Sequence, residues 1–104
     1  MVSTISSAEE FKNTINSGVV VADFFTDWCH SCKDLEPVIN RLAENFQGRA
    51  TFIKINGDEQ PDIATQYGVS GYPTIIIIKK GQQVEKIMGA YPENALKEVI
   101  EQHV

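Results

Sequence analysis

The pattern of hydrophobic and polar residues along this chain predicts alternating strands and helices. Three runs rich in β-branched and aromatic residues have the length of strands: Val19 to Phe25, Thr51 to Asn56 and Thr74 to Lys80. The third run contains four consecutive isoleucines, which is typical of a central strand buried on both faces. A shorter run, Val84 to Met88, follows a predicted turn at Gly81-Gln82-Gln83 and predicts a closing strand.

Four segments around these strands have apolar residues at helical spacing. They are residues 7–18, a segment from about residue 33 to about residue 47, residues 61–67, and a last segment that begins at residue 92. The first begins with a capping box of Ser7 and Glu10, and the last two begin with proline, which the first turn of a helix tolerates.

The order of these elements predicts the fold class. A strand–helix–strand order favours parallel pairing, whereas the tight turn at Gly81 favours an antiparallel hairpin. We therefore predict an α/β fold with a central mixed sheet and helices on both faces. The chain has 104 residues, enough for one hydrophobic core, so we expect a single domain over residues 1–104.

Composition and charge exclude several classes of function. The net charge is −5 and no basic run of five or more residues is present, which argues against a nucleic-acid partner. Apolar stretches such as Ile75 to Ile78 are far shorter than the roughly 20 residues that cross a bilayer. The segment from Met1 to Glu10 lacks the pattern of a secretory signal. We expect a soluble, cytoplasmic protein that does not bind membranes.

Cys29 and Cys32 are the only cysteines in the chain. A disulfide that closes so short a loop stabilises a fold by only about 2 kcal/mol, and cytosolic proteins rarely keep structural disulfides. Cys29-His30-Ser31-Cys32 follows a predicted strand and begins a helix, where two sulfurs three residues apart can reach bonding distance. The helix start also favours a thiolate, so we expect an exposed, acidified thiol at Cys29 and redox chemistry.

A metal site is the alternative use of these residues. Cys29, Cys32 and His30 supply three ligands, but structural zinc normally takes four. The only other histidine is His103, near the end of the chain. We expect no metal and, because no phosphate-binding glycine loop is present, no bound cofactor.

Asp23 interrupts an otherwise apolar strand. Burial would disfavour the charged form of this carboxyl and raise its pKa, while a strand-end aspartate that reaches solvent is the alternative. Lys54 lies on the next predicted strand, where a lysine by itself is most often simply solvated.

These residues together resemble the active site of the thioredoxin family. The family's string Trp-Cys-Gly-Pro-Cys-Lys stands here as Trp28-Cys29-His30-Ser31-Cys32-Lys33, and Asp23 precedes Cys29 by the family's interval. Gly71-Tyr72-Pro73-Thr74 matches a loop whose proline is cis in the family. Further positions in register are Pro37, Lys54, Gly81 and Gly89. The resemblance extends from about Ser7 to the end of the chain.

The resemblance implies a thioredoxin fold and a protein disulfide reductase. Cys29 would attack a substrate disulfide, and Cys32 would then attack Cys29 and release the reduced substrate. Asp23 would be the buried base that deprotonates Cys32, through a water, with Lys54 as its charge partner. The implied partners are disulfide-containing proteins and a flavin- or ferredoxin-dependent reductase, and a monomer is the default state.

The resemblance also implies how a substrate docks. A cis bond at Tyr72–Pro73, in the loop that Gly71 begins, would leave the Tyr72 amide and carbonyl groups free to pair with an extended peptide. Trp28 and Tyr72 would supply apolar contact, although aromatic residues near strand ends are often simply core. Gly89 would leave the docking surface unobstructed.

The chain departs from the family pattern at three places. His30-Ser31 replaces Gly-Pro between the cysteines, Phe25 replaces a tryptophan, and Tyr72 replaces a smaller residue. A protonated His30 beside the thiolate would stabilise the reduced form and make the pair less reducing, whereas a His30 that points to solvent would do little. A disulfide isomerase or oxidase, and a binding module whose redox chemistry is incidental, are the alternative functions.

Overall fold

The computed structural model describes residues 2–16 and 18–104. Within them, five strands form one sheet in the order β1-β3-β2-β4-β5, and four helices flank it. The strands are β1 (Val2–Thr4), β2 (Val19–Phe25), β3 (Thr51–Asn56), β4 (Thr74–Lys79) and β5 (Gln82–Met88). The helices are α1 (Ala8–Ile15), α2 (His30–Asn45), α3 (Pro61–Gln66) and α4 (Glu93–Glu101). None of these helices is long and apolar enough to span a membrane.

The sheet is mixed, as predicted. Strand β3 pairs in parallel with both β1 and β2, whereas β4 pairs antiparallel with β2 and β5. Strand β4 lies between two others, and each of its isoleucines from Ile75 to Ile78 is at most 1% exposed. The prediction of a central strand buried on both faces is therefore confirmed.

Alternation along the strands divides the core into two layers. Val19 and Val21 of β2 pack in the layer that contains residues of α2 and α4, whereas Val20 and Ala22 pack in the layer that contains residues of α1 and α3. Because successive side chains of a strand point to opposite faces, Asp23 lies on the α2 side of the sheet. The Asp23 side chain therefore faces the layer that contains α2 and α4, and not the layer that contains α1 and α3.

The structure differs from the sequence prediction at several ends of elements. Strand β1 was not predicted, because three residues are too few to show a period. Strand β5 begins at Gln82, and the turn that precedes it lies at Lys80 and Gly81, which both have positive φ (52° and 81°). Helix α1 ends at Ile15, and the predicted continuation of this helix across Ser17 lies outside the described residues.

Helix α2 begins at His30, inside the cysteine motif and not after it. Its first turn therefore contains Cys32, and Cys29 is its N-cap residue. The helix also contains Pro37 and places Leu35, Ile39 and Leu42 in the core. This helix start sets the positions of both sulfurs.

Candidate active site

The two cysteines form a disulfide at the N-terminus of α2. Their Cα atoms are 5.3 Å apart, and the backbone of Cys29 is extended, as an N-cap residue requires. The amide of Cys32 donates a hydrogen bond of 3.1 Å to Cys29 Sγ. The amide of Cys29 itself donates to the Thr26 carbonyl, at 3.3 Å, which joins the helix start to the end of β2. A thiolate at Cys29 would therefore face an amide donor and the positive end of the helix dipole.

Both cysteines are buried in this oxidised form. Cys29 is 5% exposed and Cys32 is 6% exposed, so the prediction of an exposed Cys29 is wrong for the disulfide state. The sequence shows that a helix begins here but does not show which loops pack around it.

Asp23 is a buried carboxyl, only 3% exposed. Burial raises its pKa from 3.8 to about 7. The positive charge of Lys54 lowers this pKa in part, and the negative charge of Glu36 raises it further. Its Oδ1 atom makes no hydrogen bond with any residue that the structure describes. The alternative of an aspartate that reaches solvent is wrong.

Lys54 faces Asp23 in the register of the β2–β3 pair, but its ion pair is with another residue. Its Nζ atom lies 2.6 Å from Oε2 of Glu36 on α2 and 4.8 Å from the centre of the Phe25 ring. Lys54 thus acts on Asp23 through its charge while its ammonium group contacts Glu36. Glu36 was not predicted from the sequence, although its position four residues after Cys32 places both on one face of the helix.

A second loop contains the predicted cis bond between Tyr72 and Pro73. The Gly89 amide donates to the Pro73 carbonyl at 2.9 Å, and the Thr74 hydroxyl donates to the Gly71 carbonyl at 2.6 Å. At Gly89, which has φ of 89°, no heavy atom lies within 4 Å of the place where a Cβ would stand. The surface at Gly89 is therefore open.

Trp28 and Tyr72 form an aromatic pair; Trp28 lies outside the core, whereas Tyr72 is partly buried and packs against the core layer of α1 and α3. Trp28 is 70% exposed, and its Nε1 atom donates a hydrogen bond of 2.8 Å to Asp58 Oδ2. The two rings meet edge to face, with their centroids 6.0 Å apart. The Tyr72 ring also covers Gly57, so a Cβ at Gly57 would overlap it. Asp58 and Gly57 were both missed, because only the tertiary contact identifies them.

His30 and Ser31 lie on the exposed side of the first turn of α2. The His30 side chain is 91% exposed, and its Nε2 atom lies 3.9 Å from Asp34 Oδ2. Of the two orientations considered from the sequence, the structure has the one that points to solvent. No cluster of three or more His, Cys, Asp or Glu suited to a metal ion occurs in residues 2–16 and 18–104.

A disulfide at the start of a helix, together with a buried carboxyl of raised pKa on the face of the sheet that this helix covers, defines the class of protein: a thiol–disulfide oxidoreductase. Comparison with known proteins agrees. The thioredoxin family model matches residues 2–102. A curated thioredoxin from Staphylococcus aureus is 39% identical over 95 residues, which cover 91% of each chain.

Solved structures give the same family. A mutant thioredoxin from Halobacterium salinarum is 41% identical, with a TM-score of 0.90 over 98% of this chain and 89% of that one. The thioredoxin of Malassezia sympodialis is 35% identical, with a TM-score of 0.91 over 98% of this chain and 92% of that one. The chain belongs to the thioredoxin family, and the thioredoxin fold predicted from the sequence is confirmed.

The buried Asp23 predicts a pH-dependent stability. Its pKa is 3.8 in the unfolded chain and about 7 in the fold, so the folded protein binds more protons between these values and loses stability as the pH rises through them. We expect Asp23→Asn to be more stable than the parent at pH 8 by up to roughly 4 kcal/mol, an advantage that fades as the pH falls toward 4. Urea unfolding of the oxidised proteins across this range measures it. Asp27→Asn, an exposed neighbour, is the matched control, and a difference independent of pH would contradict the prediction.

The contact between Gly57 and Tyr72 predicts a second effect. A methyl group at Gly57 would push the Tyr72 ring from its place, so we expect Gly57→Ala to lower the free energy of unfolding by about 1–3 kcal/mol. The same change in a Tyr72→Thr background should have little effect, because the opposing ring is gone. Gly71→Ala, where no heavy atom meets the new methyl, is the control. Equal losses with and without the Tyr72 ring would disprove the contact.

Proposed function

We propose that this thiol–disulfide oxidoreductase works as a protein disulfide reductase, with Cys29 as the attacking thiol and Cys32 as the resolving thiol. The observation that carries the proposal is the position of Cys29 Sγ, which accepts the Cys32 amide at the N-terminus of α2. This donor favours the thiolate of Cys29 over that of Cys32, whose own sulfur lies one turn further into the helix.

The reaction has two exchange steps. In the first, the Cys29 thiolate attacks one sulfur of a substrate disulfide, a mixed disulfide forms, and the other substrate sulfur leaves as a thiolate. In the second, Cys32 loses its proton and attacks Cys29, which releases the second substrate thiolate. The substrate gains two electrons, and the protein is left with the disulfide that the structure contains.

Asp23 is proposed as the base that accepts the proton of Cys32. Its burial on the α2 side of the sheet and its pKa of about 7 support this role, because a base is most effective when it titrates near the working pH. Lys54 is proposed as the charge that limits the rise of this pKa, since its positive charge favours the carboxylate.

The substrate is proposed to dock as an extended segment beside the disulfide. The Tyr72 amide and carbonyl groups make no hydrogen bond with the described residues, so they are available for a peptide strand. The exposed ring of Trp28 offers apolar contact to this segment. The open surface at Gly89, whose amide donates to the carbonyl of Pro73 in the loop that Gly71 begins, leaves room for it.

Membership of the thioredoxin family implies disulfide-containing protein substrates and a reductase as partners. We propose further that the reductase is flavin- or ferredoxin-dependent, and that the chain acts as a monomeric single domain over residues 1–104 in the cytoplasm. Cys29 and Cys32 form the proposed working pair, so neither cysteine is left for a structural disulfide. The fold therefore does not depend on an oxidising compartment, which supports the proposed location.

Cysteine variants test the direction and the order of the reaction. We expect the parent to reduce insulin with dithiothreitol as electron source, and to do so much faster than it refolds scrambled ribonuclease. Cys32→Ser should stop turnover and accumulate a mixed disulfide with the substrate, whereas Cys29→Ser should stop turnover without one. Mass spectrometry of the adducts separates the two variants. Adducts on Cys29→Ser alone would reverse the assigned roles, and ribonuclease refolding as the faster activity would indicate an isomerase.

His30 is proposed to make the pair slightly less reducing. Because its side chain is 91% exposed, its charge is screened and is worth at most about 1 kcal/mol, or roughly 20 mV for two electrons. We therefore expect His30→Gly to lower the midpoint potential by no more than this, and by less at high salt, which screens the charge further. Equilibration with glutathione at low and high salt measures the shift. A shift of the same size at both salt concentrations would rule out the histidine charge as its cause.

A further inference from the structure

The ion pair between Glu36 and Lys54 links the proposed charge partner of Asp23 to helix α2. Glu36 is on α2, one turn after Cys32, and its carboxylate lies 2.6 Å from Lys54 Nζ. The lysine side chain is 20% exposed and the glutamate side chain 55%, so the pair joins a half-buried cation to the protein surface. The ammonium group also lies over the ring of Phe25, 4.8 Å from its centre.

Strand geometry explains why this pair matters to the buried carboxyl. Asp23 and Phe25 are two residues apart on β2 and therefore point to the same face of the sheet. Lys54 is the register partner of Asp23 on β3, and α2 covers this face. Asp23, Phe25 and Lys54 therefore share the face of the sheet that α2 covers, and Lys54 connects this face to Glu36 on the helix.

Few charged groups act on Asp23 from the surrounding elements. Strand β3 contributes Lys54, and α2 contributes Glu36 together with Cys32, which titrates only when the disulfide is reduced. Strand β4 places Ile75, which does not titrate, opposite Asp23. The balance between the lysine and the glutamate therefore decides how much positive charge the carboxyl experiences.

We propose that Glu36 is a positioning residue of the reaction: by holding Lys54 in an ion pair at the edge of the site, it controls how strongly the lysine charge acts on Asp23. This inference rests on the proposed role of Asp23 as the base for Cys32. Without the glutamate, nothing holds the ammonium group at the edge of the site, so Lys54 moves closer to the buried carboxyl and favours the carboxylate form of Asp23.

The direct test is a titration of Asp23 in the oxidised protein, in which no thiol titrates. The carboxyl carbon of Asp23 is followed by nuclear magnetic resonance between pH 4 and pH 10. We expect Glu36→Gln to move the midpoint to lower pH, and Glu36→Asp, which keeps the charge, to restore most of the parent value. Glu44→Gln, an exposed change on the same helix, is the control and should leave the midpoint where it is.

A double-mutant cycle separates positioning from direct repulsion. Direct repulsion by Glu36 would shift the Asp23 midpoint equally with and without the lysine. We expect the shift caused by Glu36→Gln to be clearly smaller in a Lys54→Gln background, because most of the effect passes through Lys54. Equal shifts in the two backgrounds, or no shift in Glu36→Gln, would overturn the proposal.

The reaction gives the second readout. The rate at which Cys32 resolves a mixed disulfide should keep its plateau in Glu36→Gln while its acid limb moves to lower pH. A midpoint lowered by one unit from about 7 would raise the rate at pH 6 about fivefold. If the Asp23 midpoint moves and the rate profile does not, Glu36 still positions Lys54, and it is the role of Asp23 as base that fails.

Discussion

The junction between β2 and α2 is the constraint on which the site depends. Strand β2 ends at Phe25, and within four residues the chain has turned so that Cys29 caps a helix and receives the amide of Cys32 on its sulfur. The hydrogen bond from the Cys29 amide to the Thr26 carbonyl fixes this turn. The second sulfur is near enough to form a disulfide because the helix has already begun between the cysteines. A helix that began after Lys33 would not place the amide of Cys32 on this sulfur.

In the proposed mechanism, the same strand also supplies the proton acceptor, and its burial lowers the stability of the fold. Asp23 stands two residues before Phe25, and the period of the strand points both toward α2. A carboxyl that is 3% exposed favours its neutral form, so the native state is weakened whenever the carboxyl is ionised. Stability and chemistry therefore depend in opposite ways on the charge of one group. Lys54 and Glu36 lie where they can adjust this balance without a contact to either sulfur.

The sequence predicts those parts of the molecule that depend on local pattern. The bounds of β2 and β3 agree with the predicted runs because each run is long enough to show its period. Strand β1 has three residues and forms through its pairing with β3, so no local signal exists for it. Cys29, Asp23 and the loop at Pro73 were recognised from spacing and family resemblance. Gly57 and Asp58 were not, because their importance arises from contacts with rings that lie far away in the chain.

Two of the departures from the family pattern have structural counterparts in this chain. Phe25 stands where the family has a tryptophan, and its ring lies over the ammonium group of Lys54, which in turn contacts Glu36. Tyr72 replaces a smaller residue, and the absence of a side chain at Gly57 gives its ring the space to pack against Trp28. The residues around each altered ring thus leave room for it or contact it directly. Since one ring lies beside the lysine whose charge acts on Asp23 and the other beside the proposed docking surface, changes at the two rings would act on different steps of the proposed reaction, proton transfer and substrate docking.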